Sequence, residues 1–184
     1  MQSVAARMFI GLGSNLGDRR NHLQQAVAAM SAAWGEPRGL SRVYETPAWG
    51  MADGTPAFLN QVAAFVMPWG VRPEAVLDFL LDLEAAHGRE RSEDAVGYMS
   101  RTLDCDLLLI EGMEAPHVSD RLVVPHPRMA ERRFVLEPLA EVAADCVVPG
   151  QDGRTVEAVL ARCRDKSQLI PLENSRAEWP LNDA

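Results

Sequence analysis

At 184 residues the chain fits one domain able to bury a proper core, and its 47% apolar and 24% charged residues are ordinary for a soluble globular protein. A net charge of −8 disfavours a nucleic-acid partner, no apolar run approaches the ~18 residues of a membrane span, and the N-terminus lacks a secretory pattern. The three scattered cysteines (Cys105, Cys146, Cys163) suggest neither a disulfide framework nor a zinc site, so a reducing, cytoplasmic setting is expected.

In chain order, Met8 to Leu12 predicts a short strand ending in Gly11-Leu12-Gly13-Ser14-Asn15, read as a tight glycine turn before a helix capped by Asp18. Leu23, Ala26, Val27, Met30, Ala33 and Trp34 share one face of that helix, which stops at Gly35. Ser41 to Tyr44 predicts a second strand, a loop rich in Gly and Pro follows, and Leu59 to Met67 predicts a third. Pro73 opens a second helix, with Val76, Leu77, Leu80, Leu83 and Ala86/His87 at helical spacing until Gly88. After a charged stretch from Arg89 to Ser100 comes the apolar strand around Asp104 and Asp106. Leu122 to Val124 predicts a brief strand, and Phe134 to Val142 and Thr155 to Arg162 predict helices. Residues 1–164 are expected as one domain and 165–184 as an extended or mobile tail.

The order strand–helix–strand–strand–helix–strand over positions 8 to 110 predicts an α+β fold of the ferredoxin-like, split βαβ type. Its sheet should be antiparallel or mixed, with helices packed mainly on one face and extra C-terminal helices beyond the unit.

The chemistry concentrates in Arg101-Thr102-Leu103-Asp104-Cys105-Asp106-Leu107. On a strand, Asp104 and Asp106 point one way and Leu103, Cys105 and Leu107 the other. Neighbouring carboxylates in a half-buried place resist ionising together, and a hard divalent cation such as Mg²⁺, shared with substrate phosphates, relieves the repulsion. An exposed Asp-x-Asp at a strand end is the plainer alternative. Arg101 is suited to bidentate phosphate contact, or equally to an ion pair with one of the aspartates. Pro125-His126-Pro127-Arg128, with Arg132 and Arg133, reads as a phosphate clamp or as a solvated arginine face. Phe58 and Asn60 could stack on and bond the edge of a flat heterocycle, or serve as core and strand cap.

Together, Gly11-Leu12-Gly13-Ser14-Asn15-Leu16-Gly17-Asp18, Tyr44-Glu45-Thr46-Pro47, Phe58-Leu59-Asn60, Glu84-x-x-x-Gly88-Arg89, Arg101-Thr102-Leu103-Asp104-Cys105-Asp106 and Pro125-His126-Pro127-Arg128-Met129 resemble the 6-hydroxymethyl-7,8-dihydropterin pyrophosphokinase family of folate biosynthesis, from about Met8 to Cys163. The resemblance implies transfer of diphosphate from ATP to the hydroxymethyl group of the pterin, releasing AMP. It implies a catalytic set of Arg89, Arg101, Asp104 and Asp106, with two Mg²⁺ ions on the two aspartates. It further implies nucleotide contacts from Arg89, Arg91, Arg101, Leu107, Arg121, His126 and Arg132, and a pterin pocket of Thr46, Pro47, Trp49, Phe58, Asn60 and Phe134. ATP and the pterin would be the only partners of a monomeric, single-function, cytoplasmic enzyme, with no nucleic acid and no membrane. The chain departs from the family's pattern in carrying Tyr98-Met99-Ser100 where many members have Trp-Gly-Pro, Ser92 where some have lysine, and Trp49 where leucine is frequent. The competing expectations are a non-catalytic pterin- or nucleotide-binding relative with an altered 89–101 loop, and a ferredoxin-like nucleotidyl-transfer enzyme.

Overall fold

Strand β1 (Arg7–Ser14) leads into helix α1 (Arg19–Trp34), the short strands β2 (Gly39–Leu40) and β3 (Tyr44–Thr46), and the long strand β4 (Phe58–Val66). Helix α2 (Pro73–Ala86) precedes β5 (Asp104–Ile110), the hairpin pieces β6 (His117–Val118) and β7 (Val123–Val124), helices α3 (Arg133–Ala143) and α4 (Val156–Arg162), and an edge strand β8 (Ile170–Pro171). This computed structural model describes residues 6–89 and 99–173. No described helix is long and apolar enough to cross a membrane.

The main sheet runs β5-β1-β4-β3-β8, with β2 also on β4, and every pairing is antiparallel. Alternation along β1 sorts its side chains: Met8, Ile10 and Leu12 pack with Leu23, Val27 and Met30 of α1 and Val76, Leu80 and Leu83 of α2. Phe9 points the other way, into a second cluster with Leu136 and Leu139 of α3 and Val156 and Val159 of α4. The α1/α2 pair therefore covers one face, as a split βαβ unit requires, and the additional C-terminal helices cover the other.

Local chemistry sets the ends of the first two helices. The Asp18 carboxylate accepts the Asn21 N–H at 3.1 Å, and α1 stops at Gly35, whose φ of +82° an L side chain adopts only with strain. Pro73 begins α2, and Gly88 (φ +77°) turns the chain out of it toward Arg89.

The chain differs from the sequence-based expectations in four places. The second strand is not continuous from Ser41: β2 and β3 flank a break where the Ser41 N–H still donates to Val62 O at 2.9 Å while the Ser41 hydroxyl accepts the Val62 N–H at 2.9 Å, so a side chain replaces the carbonyl half of the pair. The brief strand at Val123–Val124 finds a partner in His117–Val118. The run from Gly11 to Ser14 is no turn but the continuation of β1, and the left-handed glycine comes later, at Gly17 with φ +64°. Finally, Leu172 N–H bonds to Val43 O at 2.9 Å and Ile170–Pro171 pairs with β3, so the start of the expected tail is an added sheet edge. Residues 174–184 of that tail and 90–98 of the charged stretch lie outside the described residues.

Candidate active site

A cavity of about 580 Å³ forms where the α3-side face of the sheet runs out of side chains. Beyond Phe9, β1 presents only Gly11 and Gly13 to that face. A Cβ on Gly11 would lie 3.1 Å from Leu108 Cδ1, and one on Gly13 would lie 3.3 Å from Asn60 Oδ1 and 3.7 Å from the Asp104 Cβ. Both glycines are thus flat floor in a strand, kept bare by what crosses above them.

Asp104 and Asp106 stand at this end of β5, paired across to Gly13 and Gly11. Their side chains face the cavity, while Leu103, Cys105 and Leu107 enter the α1/α2 core, as strand alternation predicts. The alternation then slips. The register passes from Ile10↔Leu107 to Phe9↔Leu109, so Leu108 is an extra residue, and Leu108 and Leu109 both join the α3/α4 cluster.

Asp104 Oδ1 is held by Arg89 Nη1 at 2.5 Å and Arg101 Nη1 at 2.9 Å. Arg89 Nη1 also meets Glu84 Oε1 at 2.5 Å, and that buried glutamate accepts the Cys105 N–H at 2.8 Å. Arg89 is therefore shared between two carboxylates. For Asp106, burial first and the Asp104 charge second push the carboxyl well above the usual carboxylate range, with Arg132 and Arg101 pulling back. Three carboxylates (Glu84, Asp104 and Asp106) and three guanidiniums (Arg89, Arg101 and Arg132) thus line one cavity.

Two carboxylates on one face, one discouraged from ionising by the other, suit a hard divalent cation completed by phosphate oxygens. Among the described residues no group of three or more His, Cys, Asp or Glu side chains is arranged to hold a metal, so any ion at the pair needs oxygens from a ligand.

His126 stands across from Asp106, its Nε2 4.0 Å from Asp106 Oδ2. The His126 backbone N–H donates to Leu108 O at 2.8 Å, which pins the turn after β7 to the bulge of β5. Burial, with the Arg132 charge next, pushes the imidazole down to about 4 from 6.5, so it is neutral near pH 7. The Arg128 N–H donates to Nδ1 at 3.2 Å, leaving the ring proton on Nε2, where it faces the cavity as a donor.

The opposite side of the cavity is aromatic and amide. Asn60 Nδ2 donates to Thr46 Oγ1 at 2.7 Å, a bond between β4 and β3 that orients the Asn60 carbonyl over Gly13. The Trp49 and Phe134 rings lie 6.3 Å apart, and the Arg132 guanidinium sits 5.5 Å from the first and 5.7 Å from the second. Arg128 lies 5.6 Å over Trp49, and Arg101 lies 6.0 Å from the Phe58 ring, so the same arginines serve both halves.

Of the residues singled out in the sequence, Thr46, Pro47, Trp49, Phe58, Asn60, Arg89, Arg101, Asp104, Asp106, His126, Arg132 and Phe134 all line this one cavity. Five are not among its lining: Arg128, which lies over Trp49, Arg133, which pairs with Glu137 at 3.1 Å, and Leu107, Arg121 and Arg91. The Leu107 side chain is in the α1/α2 core, since alternation turns it away from the aspartates, and only its backbone is near the site. Arg121 is on the surface, paired with Asp78 at 2.6 Å. Arg91 lies outside the described residues. Sequence reasoning missed Gly11 and Gly13 as floor, Glu84 as the second anchor of Arg89, and Asn15. For Glu84 a signal existed: an acid four residues after Leu80, on the apolar face of α2, has to be buried.

A model of the family described as 7,8-dihydro-6-hydroxymethylpterin-pyrophosphokinase matches residues 9–144. A 2-amino-4-hydroxy-6-hydroxymethyldihydropteridine pyrophosphokinase of Methylorubrum extorquens is 41% identical over 158 residues, 85% of this chain and 92% of that protein. Proteins of the same name from Pseudomonas aeruginosa (38% identical, 85% of this chain and 91% of the relative) and Bacillus subtilis (40%, 73% and 76%) agree. Among solved structures, the crystal structure of an HPPK-DHPS in complex with substrates superposes with a TM-score of 0.63 at 12% identity. The match covers 87% of this chain but only 43% of that longer one, and supports the fold alone.

The neutral imidazole is open to a direct check. An NMR titration of the His126 ring is expected to show its midpoint near 4, with the ring neutral from pH 5 to 8; a midpoint near the ordinary 6.5 would show that burial and Arg132 do not govern it.

Proposed function

The chain belongs to the 7,8-dihydro-6-hydroxymethylpterin-pyrophosphokinase family, and we propose that the cavity over Gly11 and Gly13 carries out the family reaction through Asp104, Asp106, Arg89 and Arg101. The protein is a diphosphokinase of folate biosynthesis that uses ATP and Mg²⁺. It transfers the diphosphate of ATP to the 6-hydroxymethyl group of the dihydropterin. The hydroxymethyl oxygen bonds to the β-phosphorus and gives up its proton to solvent, the bond from that phosphorus to the α,β-bridging oxygen breaks, and AMP leaves with the electron pair on that oxygen.

The observation that carries the residue assignment is the pair Asp104/Asp106 facing one cavity with Arg89 and Arg101 already on Asp104. In this reading the two aspartates hold two Mg²⁺ ions. Bound there, Mg²⁺ neutralises triphosphate charge and draws electron density from the phosphorus under attack. Arg89 and Arg101 exchange the Asp104 carboxylate for phosphate oxygens, so each guanidinium keeps an anionic partner throughout and little charge is stranded in the low-dielectric pocket. His126 donates from Nε2 and Arg132 adds its charge to the nucleotide phosphates.

The pterin lies toward the opposite side, flanked by Phe58 and Phe134, with Asn60 at its ring edge and Thr46, Pro47 and Trp49 closing the pocket. No side chain is assigned as a strong general base. With the hydroxyl held against the phosphorus, positioning and charge stabilisation carry the rate. The proposal extends to a monomer in the cytoplasm, free of nucleic acid, where its three buried free cysteines stay thiols. Against a non-catalytic binder stands the Asp104–Arg89–Glu84 network, which recognition of a pterin alone does not require.

Purified protein given ATP, Mg²⁺ and 6-hydroxymethyl-7,8-dihydropterin is expected to form AMP and pterin diphosphate in equal amounts by chromatography; ADP as the nucleotide product would mean single-phosphoryl transfer. Asp106→Asn is expected to cut kcat by about a thousandfold or more with the melting temperature little changed, since its side chain is half-exposed at the cavity. Retained turnover would sink the metal assignment. Gly13→Ala is expected to raise the pterin KM about tenfold, ~1.4 kcal/mol, and the ATP KM less than twofold (~), because the new methyl meets Asn60 first. Equal changes in both constants would place the pterin elsewhere.

A further inference from the structure

The chain leaves α4 at Cys163, buried in the α3/α4 core, and rounds the β3 edge of the sheet to Leu172, which packs against the α1/α2 core. On the way the Asp165 carboxylate meets the start of α3, where its Oδ2 accepts the Arg133 N–H at 3.0 Å. Its Oδ1 accepts the Ser167 N–H at 2.8 Å and the Ser167 hydroxyl at 2.5 Å, which fixes the orientation of the carboxylate. Further on, Ile170–Pro171 pairs with Tyr44 and Glu45 of β3, and the Leu172 N–H donates to Val43 O at 2.9 Å. The segment is therefore anchored on both sides of Asp165.

Helix α3 needs an outside cap because of what its first residues do. The N–H groups of a first turn have no acceptor within the helix. The residue ahead of Arg133 would ordinarily offer a side-chain oxygen, but here it is Arg132, whose guanidinium has no acceptor and lies beside the Trp49 and Phe134 rings. Arg132 and Phe134 both line the cavity. With the capping position given over to the cavity, an oxygen 32 residues beyond Arg133 takes its place. A carboxylate suits the positive end of the helix dipole. Burial opposes its charge first of all, yet the bonds from Ser167 and Arg133 outweigh that and hold the carboxyl below its ordinary range.

We propose that Asp165 is a positioning residue for the pterin subsite: it caps α3 from a distant segment and so fixes Phe134, in the first turn, against the face of the pterin ring. Arg132 depends on it less. Its own N–H donates to Met129 O at 3.3 Å, and its carbonyl accepts the N–H of Leu136, a fully buried residue, at 3.1 Å. Loss of the cap therefore loosens the pterin side of the cavity more than the nucleotide side.

The inference rests on the placement of the pterin above, and its test is the steady-state kinetics of the full chain. Asp165→Ala is expected to raise the pterin KM about fivefold while the ATP KM and kcat stay within about 1.5-fold. Amide hydrogen exchange in the same variant should quicken at Phe134 and Val135 and not at the end of α3. Asp165→Asn keeps an oxygen for the Arg133 N–H and should bring the pterin KM back to within about 1.5-fold of the parent. A cap that served stability alone would lower the melting temperature and leave both KM values where they were. A pterin KM unmoved in folded Asp165→Ala, or one that rises in step with the ATP KM, overturns the proposal, as does Asp165→Asn as impaired as Asp165→Ala. Should Asp165→Ala fail to fold, Ser167→Ala decides. It removes one bond that orients the carboxylate and should raise the pterin KM about twofold with the ATP KM and melting temperature unchanged; no rise overturns the proposal. A parent enzyme that forms no AMP would instead overturn the functional reading on which the inference stands.

Discussion

The site is organised by a cluster of carboxylates crowded at one end of β5. Glu84, Asp104 and Asp106 are brought together, and Arg89 is shared between the first two while Arg101 joins it on Asp104. Asp106 is left with a carboxyl that burial and its neighbour discourage from ionising. Burying like charges is costly, and a fold keeps such an arrangement only if something else compensates it. In the proposed function the triphosphate and its divalent ions would do so by bringing in both signs at once: cations for the aspartates and anions for the arginines. A substrate of either sign alone would leave half of the network worse off. That is a reason for the site to favour the metal–nucleotide complex over free nucleotide or free metal.

The cavity that receives this charge depends on omission. The α3-side face of the sheet is filled as far as Phe9, Val62 and Leu109, and helix α3 packs there. One step further along β1 the side chains stop, because Asn60, Leu108 and the Asp104 Cβ occupy the space that a methyl on Gly11 or Gly13 would need. Packing on one side and bareness on the other place a rigid strand directly under the reacting groups. The α1/α2 face has no such gap, and its continuous core of Met8, Ile10 and Leu12 against both helices keeps that strand from yielding.

Features set by short-range periodicity could be read from the chain without its structure. Strand alternation put Asp104 and Asp106 on one side and Cys105 and Leu107 on the other, and helical spacing found the buried faces of α1 and α2 apart from Ala33 and Ala86, which are exposed near the helix ends. Features set by what lies across the sheet could not. Gly11 and Gly13 read as a turn because glycine before a polar run usually is one; only the register that brings Asn60 and Asp104 over Gly13 shows them as floor. The extra residue at Leu108 is likewise invisible in an unbroken run of leucines, since a bulge belongs to a pair of strands. Leu107 illustrates how the two levels conflict. The resemblance made it a nucleotide contact, while alternation already turned its side chain into the core. Asn15 carried no local signal at all, its partners being forty and more residues away.

The departures that the resemblance marks, Trp49 and Ser100, fall where the geometry supplies a contact across the cavity. Trp49, in place of the frequent leucine, extends a flat aromatic face to which the Arg128 and Arg132 guanidiniums come within 5.6 Å and 5.5 Å. A leucine offers guanidinium groups only apolar contact, whereas an indole attracts their charge by its quadrupole, about 0.5–2 kcal/mol apiece depending on exposure. Trp49 thus ties the loop of the pterin side to the arginines of the nucleotide side. Ser100 does the same at the other edge of the cavity through Asn15. Proline stiffens a loop by restricting its own backbone, which lowers the entropy of the segment but attaches it to nothing. A serine hydroxyl gives up that stiffness for a specific attachment point. Both substitutions therefore move the control of loop position from local rigidity to contacts across the cavity, and contacts across a cavity are the ones that a bound substrate can reinforce.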